Sequence, residues 1–196
     1  GMSMCPFIYE LCPAIFVLVY FLNFKSMEIV LILLSILCIA SYTTAVCIKF
    51  GGVPASISAT FYSLQHKVWF GATMWLTAGL LMPAILEVTP GCYQFTAFLA
   101  CVGMFLVGAA PNFRDGLDRP VHLTGAILCI LFSQVWVLLT CPWVLLAWIA
   151  YLAYTACGMK KYWKGNFISA FMLTKPMFWV EITALLATYV TLFILL

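Results

Sequence analysis

Charged side chains are scarce in this chain. Only 8% of its 196 residues are Asp, Glu, Lys or Arg, whereas 66% are hydrophobic. Soluble domains carry about 25% charged residues, so this composition excludes a soluble domain. The apolar residues form continuous runs, which excludes the alternating pattern of transmembrane β-strands. We therefore predict an all-α, polytopic transmembrane helix bundle.

The motifs of common catalytic and cofactor sites are also missing. None of the nine cysteines belongs to a C-x-x-C pair, which argues against a zinc ribbon or a redox motif. The sequence contains no Ser-His-Asp pattern, P-loop, haem motif or dinucleotide fingerprint. A net charge of +3 gives no reason to expect nucleic acid as a partner. Cys92 and Cys141 are expected near the same outer face, where a disulfide between them stays open.

Six hydrophobic segments are predicted to cross the bilayer, and the first of them clearly reaches the roughly 20 apolar residues that a spanning helix needs. They cover residues 27–50, 68–86, 93–110, 121–139, 143–157 and 177–196. Residues 7–24 are apolar too and would add a seventh span. We therefore treat residues 1–26 as an uncertain amino-terminal segment and residues 27–196 as one transmembrane domain. Residues 55–67 are too polar and too short to cross, and they predict an interfacial helix or a loop.

The basic residues predict an orientation. When the six spans alternate, all basic residues except Lys25 fall on one face of the membrane. By the positive-inside rule this face is cytoplasmic. The polar loop at residues 109–126 would then be cytoplasmic, and the carboxyl terminus would lie outside. The basic residues on this face are Lys49, Lys67, Arg114, Arg119, Lys160, Lys161, Lys164 and Lys175.

Residues 109–126 are the strongest candidate for a site, because acids, arginines and a histidine crowd together there. Asp118 is predicted to cap the following helix. His122 lies one turn later, and the spacing places it on one helix face with Ala126, Cys129 and Ser133. A solvated loop with a capping aspartate and an interfacial histidine would explain the same pattern.

A second face points to the same end of the bundle. Residues at alternating spacings of three and four place His66, Phe70 and Thr73 on one side of the next span. His66 would therefore enter the membrane at the same end as His122. These two histidines with Asp118, or with Asp115, would just supply the three protein ligands of a catalytic zinc. Interfacial placement without a metal is the simpler alternative.

Glu181 lies about one turn inside the last span, where an ionisable group is costly and predicts a functional partner. His66, His122 or a lysine of the preceding connector would serve. A carboxylate paired with Lys175, or solvated among the headgroups, is the alternative. Together with Glu181, we interpret His66, Thr73 and Ser133 as facing a lipid or another ligand.

The basic connector before the last span contains Lys160, Lys161 and Lys164. These lysines would bind anionic lipid headgroups or serve only to orient the chain. Gly71 and Gly103 are small residues of the kind that permit close packing between transmembrane helices. Such packing would also allow an oligomer.

The tripeptide Ser56-Ile57-Ser58 before a span, the stretch from Gly103 to Pro111, the acids of the loop and His122-x-x-x-Ala126 resemble a bacterial family of unknown function. That family consists of small polytopic membrane proteins similar to the Frag/DRAM/Sfk type. The resemblance covers roughly residues 52–139, and it implies a bacterial inner membrane.

A more remote similarity is to the superfamily of alkaline ceramidases and progestin–adiponectin receptors. Its members hold a zinc ion near the cytoplasmic side with Ser, Asp and three His, and they cleave lipid amides. The resemblance implies Ser58, His122 and Asp115 or Asp118 as catalytic candidates. The last span departs from that pattern, because it lacks H-x-x-x-H and has Glu181 instead.

Three functional hypotheses follow. The first is a non-enzymatic membrane protein that binds lipids or a partner, which requires no catalytic motif. The second is a metal-dependent lipid amide hydrolase. The third is a small proton-coupled transporter that uses Glu181 and the histidines as a relay.

Overall fold

The computed structural model describes residues 7–63, 67–113 and 116–196, with side chains from residue 26 onward. This part of the chain is helical and contains no strand, which confirms the all-α prediction. Three short 3-10 helices also occur, at Ser58–Tyr62, Ala110–Asn112 and Pro142–Leu146. The α-helices are α1 (Phe7–Lys49), α2 (Lys67–Val88), α3 (Gln94–Ala109), α4 (Asp118–Thr140), α5 (Ala147–Tyr162), α6 (Phe167–Leu173) and α7 (Pro176–Leu195).

Six helical segments in the described part of the chain are long and apolar enough to cross a membrane. Each overlaps one of the six segments predicted from hydropathy, and the chain is accordingly a multi-pass membrane protein. The six are Ser26–Lys49, Lys67–Val88, Gln94–Asn112, Asp118–Thr140, Pro142–Tyr162 and Pro176–Leu195.

Two connections differ from the sequence-based expectations. Helix α1 runs without interruption from Phe7 to Lys49. No turn separates the apolar stretch before Phe24 from the one after Met27, so a separate seventh span that folds back does not form. The basic connector before α7 contains the short helix α6. Asn166 caps α6 by accepting hydrogen bonds from the N–H groups of Ile168 and Ser169, at 3.0 and 3.3 Å.

Glycines bring α3 into close contact with both of its neighbours. A Cβ atom at Gly103 would lie 2.7 Å from the Gly125 carbonyl oxygen of α4. A Cβ atom at Gly71 of α2 would lie 2.8 Å from the Gly108 carbonyl oxygen of α3. The backbones therefore touch, as small residues permit in membranes. This confirms Gly71 and Gly103 as packing positions.

Hydrogen bonds between helices connect α1, α5 and α7 to α2 and α4, the two helices that pack against α3. The Ser35 hydroxyl donates to the Thr77 carbonyl over 3.0 Å and lies 2.7 Å from the Tyr189 hydroxyl. Because Ser35 has one proton to give, Tyr189 donates to Ser35. The Gln134 side chain donates to the Ala184 carbonyl and accepts from the indole of Trp148. These contacts join α1 to α2 and α7, and α4 to α5 and α7.

Residues 55–62, which we call the closing segment, fold into the end of the bundle between α1 and α2. The side chains of Ile57 and Phe61 are buried, at 4% and 0% exposure. Ala55 accepts a hydrogen bond from the Phe178 N–H at the start of α7, over 3.1 Å. The Tyr42 hydroxyl of α1 forms a hydrogen bond with the Thr60 hydroxyl, at an oxygen–oxygen distance of 2.6 Å. The predicted interfacial helix or loop is thus a short 3-10 helix anchored by buried side chains.

Candidate functional site

A half-open cavity of about 90 Å³ lies between the helices of the bundle. That volume exceeds what a single water molecule needs several-fold. Its wall is almost entirely apolar, with side chains from α1, α2, α3, α4 and α7 and from the closing segment. Apolar residues of this wall include Met74, Leu81, Ile85, Met104, Ile130 and Leu185. Such a chamber suits the apolar part of a ligand.

Glu181 and Ser58 are among the polar residues of the same wall, together with Ser133 and Thr188. One carboxylate oxygen of Glu181 accepts hydrogen bonds from the Ser58 N–H, over 3.2 Å, and from the Ser58 hydroxyl. The other oxygen accepts from the N–H of Ile57. Successive backbone N–H groups of this kind form a concavity that favours an anion. Glu181 therefore ties the closing segment to α7.

No cation balances this carboxylate within the part of the chain that the structure describes. The hydrogen bonds to Glu181 come only from Ile57 and Ser58, and no basic side chain forms an ion pair with it. The sequence favoured a histidine or a lysine as its partner. Lys175, one of those lysines, is exposed and does not pair with it. Backbone N–H groups, which composition cannot reveal, supply most of the donors instead.

His122 lies against the closing segment and does not line the cavity. Its ring centroid is 5.2 Å from that of Phe61 and 6.0 Å from that of Tyr62. Its Nδ1 atom is buried and has no hydrogen-bond partner among the described residues. Burial raises the pKa of the Tyr62 phenol, the Asp118 carboxylate raises it further, and Arg119 lowers it. The phenol is therefore neutral at pH 7.

Asp118 does not cap α4, so the capping prediction is wrong. The helix begins at Asp118 itself, and Leu117 occupies the capping position without a side-chain hydrogen bond. The reason is that the helix starts one residue earlier than capping by Asp118 requires. The carboxylate instead sits in the first turn, where the partial positive charge of the helix terminus favours it.

The structure brings together three of the candidate residues. Ser58, Ser133 and Glu181 all contribute to the cavity wall. Thr73 faces α1 instead: the thiol of Cys38 lies 3.8 Å from its carbonyl oxygen, and its hydroxyl donates to Trp69 over 2.8 Å. His66, Arg114 and Asp115 lie outside the described residues.

A zinc site is not assembled by the residues that the structure describes. Among them, no three His, Cys, Asp or Glu side chains lie close enough to share a metal ion. Asp118 and His122 are one turn apart on α4, whereas Glu181 and Ser58 are at the cavity. The two cysteines considered for a disulfide, Cys92 and Cys141, are both free.

The connector lysines are accessible at the end of the bundle that carries the 3-10 helix Ser58–Tyr62. Lys160 and Lys161 end α5, Lys164 follows it, and all three are exposed. The ammonium group of Lys161 lies 5.7 Å from the ring centroid of the neighbouring Tyr162. The three ammonium groups are therefore accessible to lipid headgroups.

Several residues that join the helices around this site were not expected from the sequence. Gln134 was not singled out, although an amide inside a span also needs a partner. Ser35 and Tyr189 were not expected either, although Ser35 is the only hydroxyl residue in the apolar run of residues 29–40. Comparison of the chain with protein-family models, with curated proteins and with solved structures finds no match.

Proposed function

We propose that this chain is a non-enzymatic membrane protein that binds the apolar part of a lipid-like molecule in the cavity between its helices. The observation that supports this proposal is the cavity of about 90 Å³, which has an almost wholly apolar wall with a few polar residues, among them Glu181 and Ser58. Mostly apolar cavities with a few convergent polar groups are the usual form of ligand sites.

Photolabelling tests the proposal. Purified protein in detergent is irradiated with a decanol probe that carries a diazirine in its alkyl chain, and the labelled positions are mapped by mass spectrometry. We expect label on cavity residues of α4, such as Cys129 and Ile130, beyond the labelling of the exposed Leu152 on α5. Label confined to exposed residues would contradict the proposal.

A pair of alanine substitutions gives the matched control. Ala126 contributes to the cavity wall, and Ala126→Leu adds three carbons that occupy cavity space. Ala153 of α5 is exposed, so Ala153→Leu adds the same carbons at the outer surface of the bundle. We expect the first variant to lose cavity labelling and the second to keep it. Equal labelling in both variants would count against the cavity as the binding place.

The hydrolase hypothesis has less support. It requires Ser58 and His122 to share one site with a metal ion. In the described residues Ser58 bonds to Glu181, whereas His122 packs against Phe61 and Tyr62. The transporter hypothesis keeps Glu181 but finds no described histidine beside it.

We also propose an orientation in a bacterial inner membrane, with the lysine-bearing end of the bundle in the cytoplasm and the carboxyl terminus outside. The supporting feature is the clustering of basic residues at one set of helix ends: Lys49 ends α1, Lys67 begins α2, and Lys160 and Lys161 end α5. Such clustering is typical of cytoplasmic loops. Membrane lipids are then the partners we propose, with Lys160, Lys161 and Lys164 at anionic headgroups.

A further inference from the structure

We propose that the cavity selects amphiphiles whose head is a protonated amine, with the ammonium group bound to Glu181. This inference rests on the proposed binding function and adds the chemical class of the ligand head. It starts from a juxtaposition: a carboxylate without a described cationic partner forms part of the wall of an otherwise apolar cavity.

The carboxylate has acceptor capacity left for a ligand. An ionised carboxylate offers about four acceptor positions on its two oxygens. Oε1 of Glu181 accepts from the N–H and the hydroxyl of Ser58, whereas Oε2 accepts only from the N–H of Ile57. One acceptor position on Oε2 is therefore unused by the described residues, and Glu181 contributes to the cavity wall.

The charge of the carboxylate determines which head is favoured. Hydrogen bonds from neutral donors do not cancel the charge, and an unpaired charge in apolar surroundings is costly. An ammonium head both donates a hydrogen bond and neutralises that charge, whereas a hydroxyl head only donates. A carboxylate or phosphate head would be repelled. The expected order of binding is therefore amine, then alcohol, then acid.

Photolabelling with three probes of the same alkyl length tests this order. The probes are decylamine, decanol and decanoate, each with a diazirine at the same carbon. Each is applied separately to the purified full-length protein, and the labelled residues are mapped by mass spectrometry. Labelling of Cys129 and Ile130 is divided by labelling of the exposed Leu152, which corrects for partitioning into the micelle. We expect the amine to exceed the alcohol about tenfold, because both heads donate to the carboxylate but only the ammonium neutralises its charge, and an opposite charge shifts an equilibrium at least about tenfold.

Two variants separate the charge from the shape of the site. Glu181→Gln keeps an acceptor oxygen for the closing segment but removes the charge, so we expect the amine and the alcohol to label about equally. Ser58→Ala removes one donor to the carboxylate and keeps its charge, so the preference for the amine should persist. Loss of the preference in Ser58→Ala alone would assign the selectivity to Ser58 and overturn the inference.

The outcomes for the wild-type chain distinguish the two proposals without any variant. If none of the three probes labels the cavity, the proposed binding function fails. If decanol or decanoate labels the cavity as strongly as decylamine, the binding function stands and the preference for an amine is overturned. Preferential labelling by decylamine supports both.

Discussion

Two polar side chains within the spans, Ser35 and Glu181, form hydrogen bonds with neighbouring segments and with backbone groups. The Ser35 hydroxyl is fully buried and contacts both the Thr77 carbonyl and the Tyr189 hydroxyl. Glu181 obtains its donors from Ile57 and Ser58. In both cases a single side chain joins segments that are far apart in sequence, so each makes a specific contribution to how the bundle closes.

We predict that Ser35→Ala destabilises the protein by about 1 kcal/mol, since interhelical hydrogen bonds in membranes are worth about 0.6 to 2 kcal/mol. The substitution leaves the Tyr189 hydroxyl without its acceptor in a buried place. Reversible unfolding in mixed micelles measures the free energy. Ser41→Ala is the matched control, because Ser41 is exposed on the same helix. Equal losses in the two variants would contradict this role for Ser35.

For single residues, the sequence identified candidate site residues but did not predict which of them are in contact. Glu181 and Ser58 were both candidates, yet they are 123 positions apart and nothing in either neighbourhood predicts that they pair. The closing segment brings them together, and its polar, aperiodic sequence does not specify how it folds. The same segment contacts His122 through Phe61, so His122 does not reach the cavity wall.

The contacts between helices depend on small residues. Gly103 and Gly125 let the backbones of α3 and α4 touch, and Gly71 and Gly108 do the same for α2 and α3. Gly103 and Gly71 were expected from their residue type, because small residues favour close approach in membranes. Their partners Gly125 and Gly108 could not be assigned, since helix periodicity identifies a face but not the neighbour that it packs against.

We predict that Gly125→Ala destabilises the protein by about 1–3 kcal/mol, the range for overpacking a tight interior. A Cβ atom at Gly125 would lie 2.8 Å from the Gly103 oxygen and 2.8 Å from the Val107 nitrogen, both backbone atoms. The helices must therefore separate. Gly79→Ala is the control within α2, where the nearest atom, at the tip of the Phe105 ring, is 4.0 Å away. We expect Gly79→Ala to unfold at the same fraction of denaturing detergent as wild type, or at a slightly higher fraction.

A smaller loss in Gly125→Ala than in Gly79→Ala would contradict the assignment of Gly125 to the helix contact. Alanine also has the higher helix propensity, by about 1 kcal/mol. That gain applies equally to both variants, because both glycines lie inside helices. The difference between the two variants therefore isolates the clash between α3 and α4.

For the whole molecule, hydropathy was sufficient to predict the fold class and all six spans, because the bilayer imposes both the length and the apolar character of a spanning helix. It could not decide the role of residues 7–24, since an apolar stretch continues a helix as readily as it starts a new span. The proposed orientation depends on the basic residues at the helix ends. The fold determines where these charges lie, but their effect on orientation requires the membrane.

Labelling of cysteines tests this orientation. Cys92 is exposed in the turn between α2 and α3, at the end of the bundle opposite to Lys164. If the basic end is cytoplasmic, a membrane-impermeant maleimide applied to intact cells modifies Cys92 but spares a cysteine introduced by Lys164→Cys. Both positions are exposed, so permeabilised cells should show modification of both. Identifying the modified residue by mass spectrometry removes the contribution of the other cysteines. If the reagent instead modifies the cysteine of Lys164→Cys and not Cys92 in intact cells, the basic end of the bundle lies outside. The chain would then have the reverse orientation.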